Sequence, residues 1–253
     1  MKITGNTILI TGGGSGIGRG LAEAFHALGN KIVIAGRREG VLRETVAANP
    51  GMEYLVFDQG SAAGVRALAG EAQERFPNLN VLINNAGIQR VEDLRSAETA
   101  DAEATMDTNL LGPMRMTAAL IRQLMSQPHG AILNVSSALA MMPAAMMPSY
   151  CASKAAIHSY TQSLRFQLRN SPVQVIEIIP PWVQTELQGD RGMNPRAMPL
   201  NQYISETMAV LKNFPEVEEV VIDGAKAMRF AERGDYDAFF NRFNGGWAAS
   251  QQR

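Results

Sequence analysis

Residues 7–18 read TILITGGGSGIG, a short apolar run followed at once by a glycine-rich turn. From Gly16 the pattern turns helical, with Ile17, Leu21, Ala24, Phe25 and Leu28 on one face. Strand, glycine turn and helix in that order form the phosphate-cradling half of a dinucleotide-binding fold. Gly12, Gly16 and Gly18 let the backbone approach a pyrophosphate, whose charge the helix N-terminus attracts. The spacing is G-x-x-x-G-x-G, not the G-x-G-x-x-G of the standard fingerprint, and a glycine turn without a ligand is the plainer alternative.

Outward from this stretch, strand and helix patterns alternate. Apolar runs at Ile8–Ile10, Ile32–Ala35, Tyr54–Phe57, Val81–Ile83, Ile132–Val135 and Val173–Ile179 predict strands. Helical patterns lie between them at Gly16–Leu28, Glu39–Ala48, Ala62–Phe76, Ala102–Met125 and Tyr150–Leu168. Short unbroken apolar strands suit a parallel sheet covered on both faces, and right-handed crossovers make it doubly wound. No linker or repeat interrupts residues 1–253, which reads as a single domain. Gln184–Asn201, rich in Gly, Pro, Asn and Met, is predicted as a loop. Val217, Val220, Val221 and Met228 sit near helical spacing and predict a helix over Glu216–Ala231, with a further short helix at Tyr236–Phe243. The part from 184 to 253 is expected to hold a substrate lid over the strand ends and an atypical, helical C-terminal part.

Composition narrows the function classes. The net charge of -1, without a long run of one sign, points away from nucleic acid and membrane surfaces. The one cysteine, Cys151, excludes an intrachain disulfide and is expected to be a packed thiol. No apolar run reaches membrane-spanning length, and the N-terminus lacks a signal-peptide pattern, so a cytoplasmic location is expected. His26, His129 and His158 are scattered in sequence and make no metal-ligand spacing, so no metal is expected.

The second predicted strand ends Ile34-Ala35-Gly36-Arg37-Arg38. An NAD site usually has an acidic residue about 20 residues past the glycine turn. Gly36 stands there, and the Arg37 guanidinium suits the 2′-phosphate of NADP, with Ser15 and Arg38 adding hydrogen bonds. Tyr150 and Lys154 are one helical turn apart and share a face. A nearby ammonium stabilises a phenolate and fits the tyrosine for acid–base work. Ser137, at the end of the fifth predicted strand, is placed to hydrogen-bond a substrate oxygen or, as a plain loop-start serine, its own backbone.

The order TGGGSGIG, Asn84-Asn85-Ala86-Gly87, Asn109, Ser137 and Tyr150-x-x-x-Lys154 resembles the short-chain dehydrogenase/reductase family over roughly residues 5–187. The resemblance implies an oxidoreductase using NADP(H), without a metal, on a small-molecule carbonyl or alcohol, and a homo-oligomer. It implies that Gly12, Ser15, Gly16, Ile17 and Gly18 cradle the cofactor and that Arg37 and Arg38 meet its phosphate. It assigns Asp58 to the adenine, Asn85, Gly87 and Pro180 to the cofactor's surroundings, and Thr185 to the carboxamide. Tyr150 would be the proton donor or acceptor, Ser137 would polarise the carbonyl, Lys154 would hold the ribose, and Asn109 would anchor a relay water. Pro180-Pro181-Trp182 replaces the family's usual Pro-Gly, and the usual C-terminal strand is not evident; both features are similar to the DltE-type subgroup. An epimerase or dehydratase using the cofactor transiently, or a non-enzymatic NADP(H) sensor, are the alternatives.

Met141, Met142, Met146 and Met147 crowd the stretch between Ser137 and Tyr150. Flexible thioethers suit an adaptable apolar pocket, so Met141, Met142, Met147 and Trp182 are expected to face a ketone or aldehyde.

Overall fold

The computed structural model describes the backbone of residues 1–250 and the side chains of all these except 188, 190, 191, 193 and 246–250. In chain order the elements are β1 (Thr7–Thr11), α1 (Gly16–Ala27), β2 (Lys31–Gly36), α2 (Glu39–Ala48), β3 (Glu53–Val56), α3 (Ala62–Arg75) and β4 (Val81–Asn84). Then follow α4 (Ala100–Met106), a π-helical turn at Asp107–Leu111, α5 (Gly112–Ser126), β5 (Gly130–Val135), α6 (Pro148–Leu168) and β6 (Val173–Ile178). The chain continues through α7 (Leu200–Asn213), β7 (Glu219–Val220), α8 (Asp223–Arg229) and α9 (Tyr236–Ser250).

The strands form one seven-stranded sheet in the order β3-β2-β1-β4-β5-β6-β7, and every neighbouring pair is parallel. This is the expected doubly wound α/β architecture. Alternation along each strand sends side chains to opposite faces. Ile8 and Ile10 pack with Leu21, Phe25, Tyr203 and Leu211 on one side. Leu9 packs with Leu68, Ala72, Leu120 and Leu124 on the other. Both faces are covered, which is why the strands read as unbroken apolar runs. Each such fully buried Leu, Ile or Phe contributes about 1.5–3 kcal/mol. The strand order reverses between β1 and β4, and the crevice at their carboxyl ends is where such sheets take ligands.

The structure departs from the expected pattern at three places. The helix expected over Glu216–Ala231 is a two-residue strand followed by α8: Val220 pairs with Ile178 of β6 and is buried. Valines at 217, 220 and 221 fit helical spacing, but hydrogen bonding to the open edge of β6 takes precedence. The single helix expected over Ala102–Met125 is broken by the π turn, which carries Asn109. The expected loop Gln184–Asn201 gives way at Leu200 to α7, which the sequence pattern did not signal. Its inner face, Tyr203, Ile204, Thr207 and Leu211, includes a buried threonine that blurs the period. α7 packs on α1 at Gly20, where a Cβ would lie 2.6 Å from Ile204. Among the described residues no helix is long and apolar enough to cross a membrane.

Candidate active site

A cleft of about 1610 Å³ runs along the carboxyl edge of the sheet, from Arg37 past the glycine turn to Tyr150. Its volume exceeds the usual range for one drug-sized ligand, roughly 300–1,000 Å³.

The glycine turn is shaped from both sides. Gly12 (φ 67) and Gly16 (φ 51) adopt left-handed backbone that other residues avoid. The turn is fastened to the segment after β4. Thr11 Oγ1 accepts from the backbone N–H groups of Asn85 and Ala86, each at 3.1 Å. Asn85 Nδ2 donates to the carbonyls of Thr11 (3.0 Å) and Gly12 (3.3 Å). Asn85 thus lines the cleft but uses its amide to hold the turn. Ser15 precedes α1 without capping it through its side chain, so the first-turn N–H groups are free to meet an anion.

Gly18 lies behind the wall of the cleft. A Cβ there would sit 2.2 Å from Gly12 O and 2.4 Å from Asn85 Nδ2. Its function is to let α1 close on the turn. Gly18→Ala is therefore expected to cost about 1–3 kcal/mol through overpacking against backbone, with a parallel loss of dinucleotide affinity. Gly40→Ala, where a Cβ meets nothing within 4 Å, is the neutral or stabilising control. Thermal melts with and without NADPH read both.

At the far end of β2, Arg37 is exposed, lines the cleft and makes no hydrogen bond or ion pair among the described residues. Arg38 donates to Ser15 Oγ at 3.0 Å and stands 3.8 Å from Glu186. Asp58 lines the cleft and accepts from Gly60 N at 3.0 Å. Ile17, Gly87, Pro180 and Thr185 line it as well, and Thr185 sits so close that a Cβ on Gly16 would meet it at 3.3 Å.

Ser137, Tyr150 and Lys154 converge at the inner end. Ser137 Oγ accepts from Leu139 N at 3.1 Å, starting a 3-10 turn, and its hydroxyl stands beside the Tyr150 phenol. The local backbone bond and the site role coexist because a hydroxyl accepts and donates. Burial pushes the Tyr150 phenol up to about 12, and the Ser137 hydroxyl pulls against that. Lys154 Nζ donates to Val135 O at 2.8 Å and lies 5.7 Å from the Tyr150 ring centroid. That bond uses one of its three donors. Burial pulls the ammonium down to about 8.

Asn109 is buried and does not line the cleft. Its Oδ1 accepts from Ile88 N and its Nδ2 donates to Ile88 O, both at 2.8 Å, and Nδ2 also reaches Ser153 Oγ at 3.2 Å. The π turn aims Asn109 so that it ties the loop after β4 to α6.

The substrate end differs from the expectation for the methionines. Met147, Met146 and Trp182 line the cleft, but Met141 and Met142 do not. The 3-10 turn Ala138–Ala140 swings them away. Met142 is fully buried, and Met141 packs with Ala138, Ile179 and Ala225 near α8. Other residues take their place: Leu139, Ala144, Met228 and Phe243. Asn244 accepts from Ala145 N at 2.6 Å and donates to Pro143 O at 3.1 Å, which seats α9 against this stretch. Nothing in the sequence near residue 243 signals this return of the chain. Gln59 was also missed, although it follows Asp58 directly. Its Nε2 donates at 2.9 Å to Ala86 O and to Thr108 O, joining the floor of the cleft.

These features fit a nicotinamide dinucleotide: an uncapped helix N-terminus beside left-handed glycines, a basic end, and a buried lysine with donors to spare. Cys151 is buried, and burial pushes its thiol up to about 11. Three comparisons agree with the geometry. Residues 6–195 match the sequence model of the family described as short chain dehydrogenase. The chain is 38% identical over 251 residues to an uncharacterized oxidoreductase, DltE, of Bacillus subtilis, covering 96% of this chain and 98% of that protein. It superposes with a TM-score of 0.82 on a short chain dehydrogenase from Burkholderia cenocepacia in complex with NADP, at 29% identity, covering 96% of this chain and 99% of that one. The fold also matches, with a TM-score of 0.82 and 24% identity, a short chain dehydrogenase/reductase from Burkholderia phymatum in complex with NAD, covering 92% of this chain and 95% of that one.

Proposed function

Because the chain belongs to the short-chain dehydrogenase family, we propose that it is an oxidoreductase interconverting a carbonyl and an alcohol with NADP(H). The observation that carries this reading is one continuous cleft with Arg37 at one end and Ser137, Tyr150 and Lys154 at the other. A bound nicotinamide supplies or accepts the hydride. The chain's own residues handle the proton. Tyr150 gives its hydroxyl proton to the carbonyl oxygen in reduction and takes it back in oxidation. Ser137 donates a hydrogen bond to the same oxygen. The Lys154 ammonium offsets the burial that raises the phenol and turns its remaining donors toward the cofactor ribose.

The walls at the substrate end are mainly apolar: Leu139, Met146, Met147, Trp182, Met228 and Phe243. A ketone or aldehyde with an apolar substituent fits them. The segment from Gln184 acts as a lid in this reading, pinned at its two ends by the bridge between Val183 and Met198. The enzyme works in the cytoplasm as a homo-oligomer.

The experiment is NADPH consumption against a panel of ketones and aldehydes, beside NADH. NADPH-preferring turnover of apolar carbonyls is expected. Product formed without net NADPH change would instead point to an epimerase or dehydratase, and tight NADPH binding without any product to a sensor.

A further inference from the structure

A polar row crosses the sheet beneath α6. Asn84 of β4, Asn134 of β5, Glu177 of β6 and Glu219 of β7 are in register, each the partner of the next. Asn84 Nδ2 donates to Asn134 Oδ1 at 2.8 Å, and Asn134 Nδ2 donates to Thr161 Oγ1 at 2.9 Å. Glu177 is fully buried, and His158 Nδ1 lies 2.8 and 3.0 Å from its two carboxylate oxygens. Arg229 clamps both oxygens of Glu219 at 2.8 Å. His158, Glu177 and Glu219 bring ligand atoms within 4.8 Å of one another, but Arg229 already occupies Glu219, which disfavours a metal.

A fully buried carboxylate is costly unless a charge faces it. His158 lies one helical turn beyond Lys154, on the same face of α6. The Lys154 ammonium is itself buried, and among the described residues its only hydrogen bond is with the neutral carbonyl of Val135. We propose that Glu177 is a positioning residue for the reaction above: oriented by His158, its carboxylate is the counter-charge that keeps Lys154 an ammonium. The proposal rests on the reading of Tyr150 and Lys154 as the acid–base pair.

The electrostatics agree, since Glu177 opposes the downward pull of burial on Lys154. Of the other charged groups around this region, Arg229 is clamped by Glu219 and also faces Glu177 as a permanent cation, and Arg165 donates to the carbonyls of Val175 and Glu218. On the neighbouring Ala100–Leu111 stretch, Asp101 pairs with Arg90, Glu103 with Thr99, and Asp107 with Arg115.

The sign of the pH effect follows from charge. Reduction needs a protonated phenol beside an ammonium, the most protonated form of the pair. Removing a nearby negative charge makes the first proton leave at lower pH, whichever group loses it. The alkaline limb of the reduction rate then moves to lower pH.

The test is Glu177→Gln, read by NMR of protein labelled with 13C at lysine Cε. There are five lysines, and loss of one signal in Lys154→Met assigns Lys154. The Lys154 midpoint is expected to fall by about one pH unit or more, a tenfold weaker hold on the proton. Glu177→Asp, which keeps the charge, is expected to restore most of it. The alkaline limb of kcat should shift in parallel, while kcat on the acid side stays within about threefold. An unchanged Lys154 midpoint, or a uniform fall in rate at every pH, overturns the proposal. So does a wild-type Lys154 already neutral at pH 7. Should Glu177→Gln not fold, Glu177→Gln with His158→Gln, two amides able to bond each other, is expected to show the same shift. The NMR midpoint decides the matter even if the carbonyl panel shows no turnover, so failure of the functional reading and failure of this proposal are separable.

Discussion

Tyr150→Phe is expected to lower kcat for carbonyl reduction by about 100- to 10,000-fold, the range lost when a positioned general acid is removed. NADPH affinity should stay within about twofold, since each 1.4 kcal/mol is tenfold and no cofactor contact of that size is removed. The ring keeps its packing against Ala144, Met147 and Cys151, because the substitution deletes only an oxygen. Ser137 retains its backbone bond to Leu139 and remains in place to hydrogen-bond the substrate oxygen. What disappears is the one protonated group able to follow the hydride with a proton. Lys154→Met should behave differently and lower both kcat and NADPH affinity, since in the proposed function the ammonium serves both the phenol and the cofactor ribose. Steady-state rates and fluorescence titration with NADPH separate the two. A Tyr150→Phe variant that loses NADPH affinity but keeps its rate would make the phenol a ligand and refute its role as acid.

The difference between what the sequence shows and what it hides has a physical origin. The glycine turn, the strands and the Tyr150–Lys154 pair were legible because each is local: a strand–turn–helix over a dozen residues, unbroken apolar runs, two side chains one turn apart. Residues whose role depends on the chain's return were not. Glu177, His158 and Glu219 come from β6, α6 and β7 and meet only after the sheet has formed. Phe243 reaches the cleft only because Asn244 fastens α9 to residues 143–145. The misreading at Met141 and Met142 has the same cause. Four methionines close in sequence look equivalent, but a single 3-10 turn sends two of them into packing and leaves two at the cleft. Asn109 is picked out in the sequence by the family resemblance alone, since its π turn has no spacing signature.

Arg37→Asp is expected to cut the ratio of kcat/KM for NADPH over NADH by about a hundredfold. Loss of charge-assisted hydrogen bonds to a phosphate costs about 1.5–3 kcal/mol. A carboxylate facing that phosphate adds repulsion, weakened because Arg37 is exposed and screened by salt. About 3 kcal/mol in all corresponds to the hundredfold change. A carboxylate at the end of β2 also accepts from the ribose hydroxyls of NAD, so the NADH rate should hold or rise. Folding stability should not change, since Arg37 bonds to nothing else among the described residues. Arg38→Ala is the informative contrast. Its guanidinium is already committed to Ser15 and Glu186, so a smaller change in the ratio is expected. If the two variants exchanged these outcomes, the selector would be Arg38, released from Ser15 when the phosphate arrives. Raising the salt concentration should erode the proposed preference for NADPH in either case, because a discrimination that rests on a charge meeting a charge at the protein surface is screened.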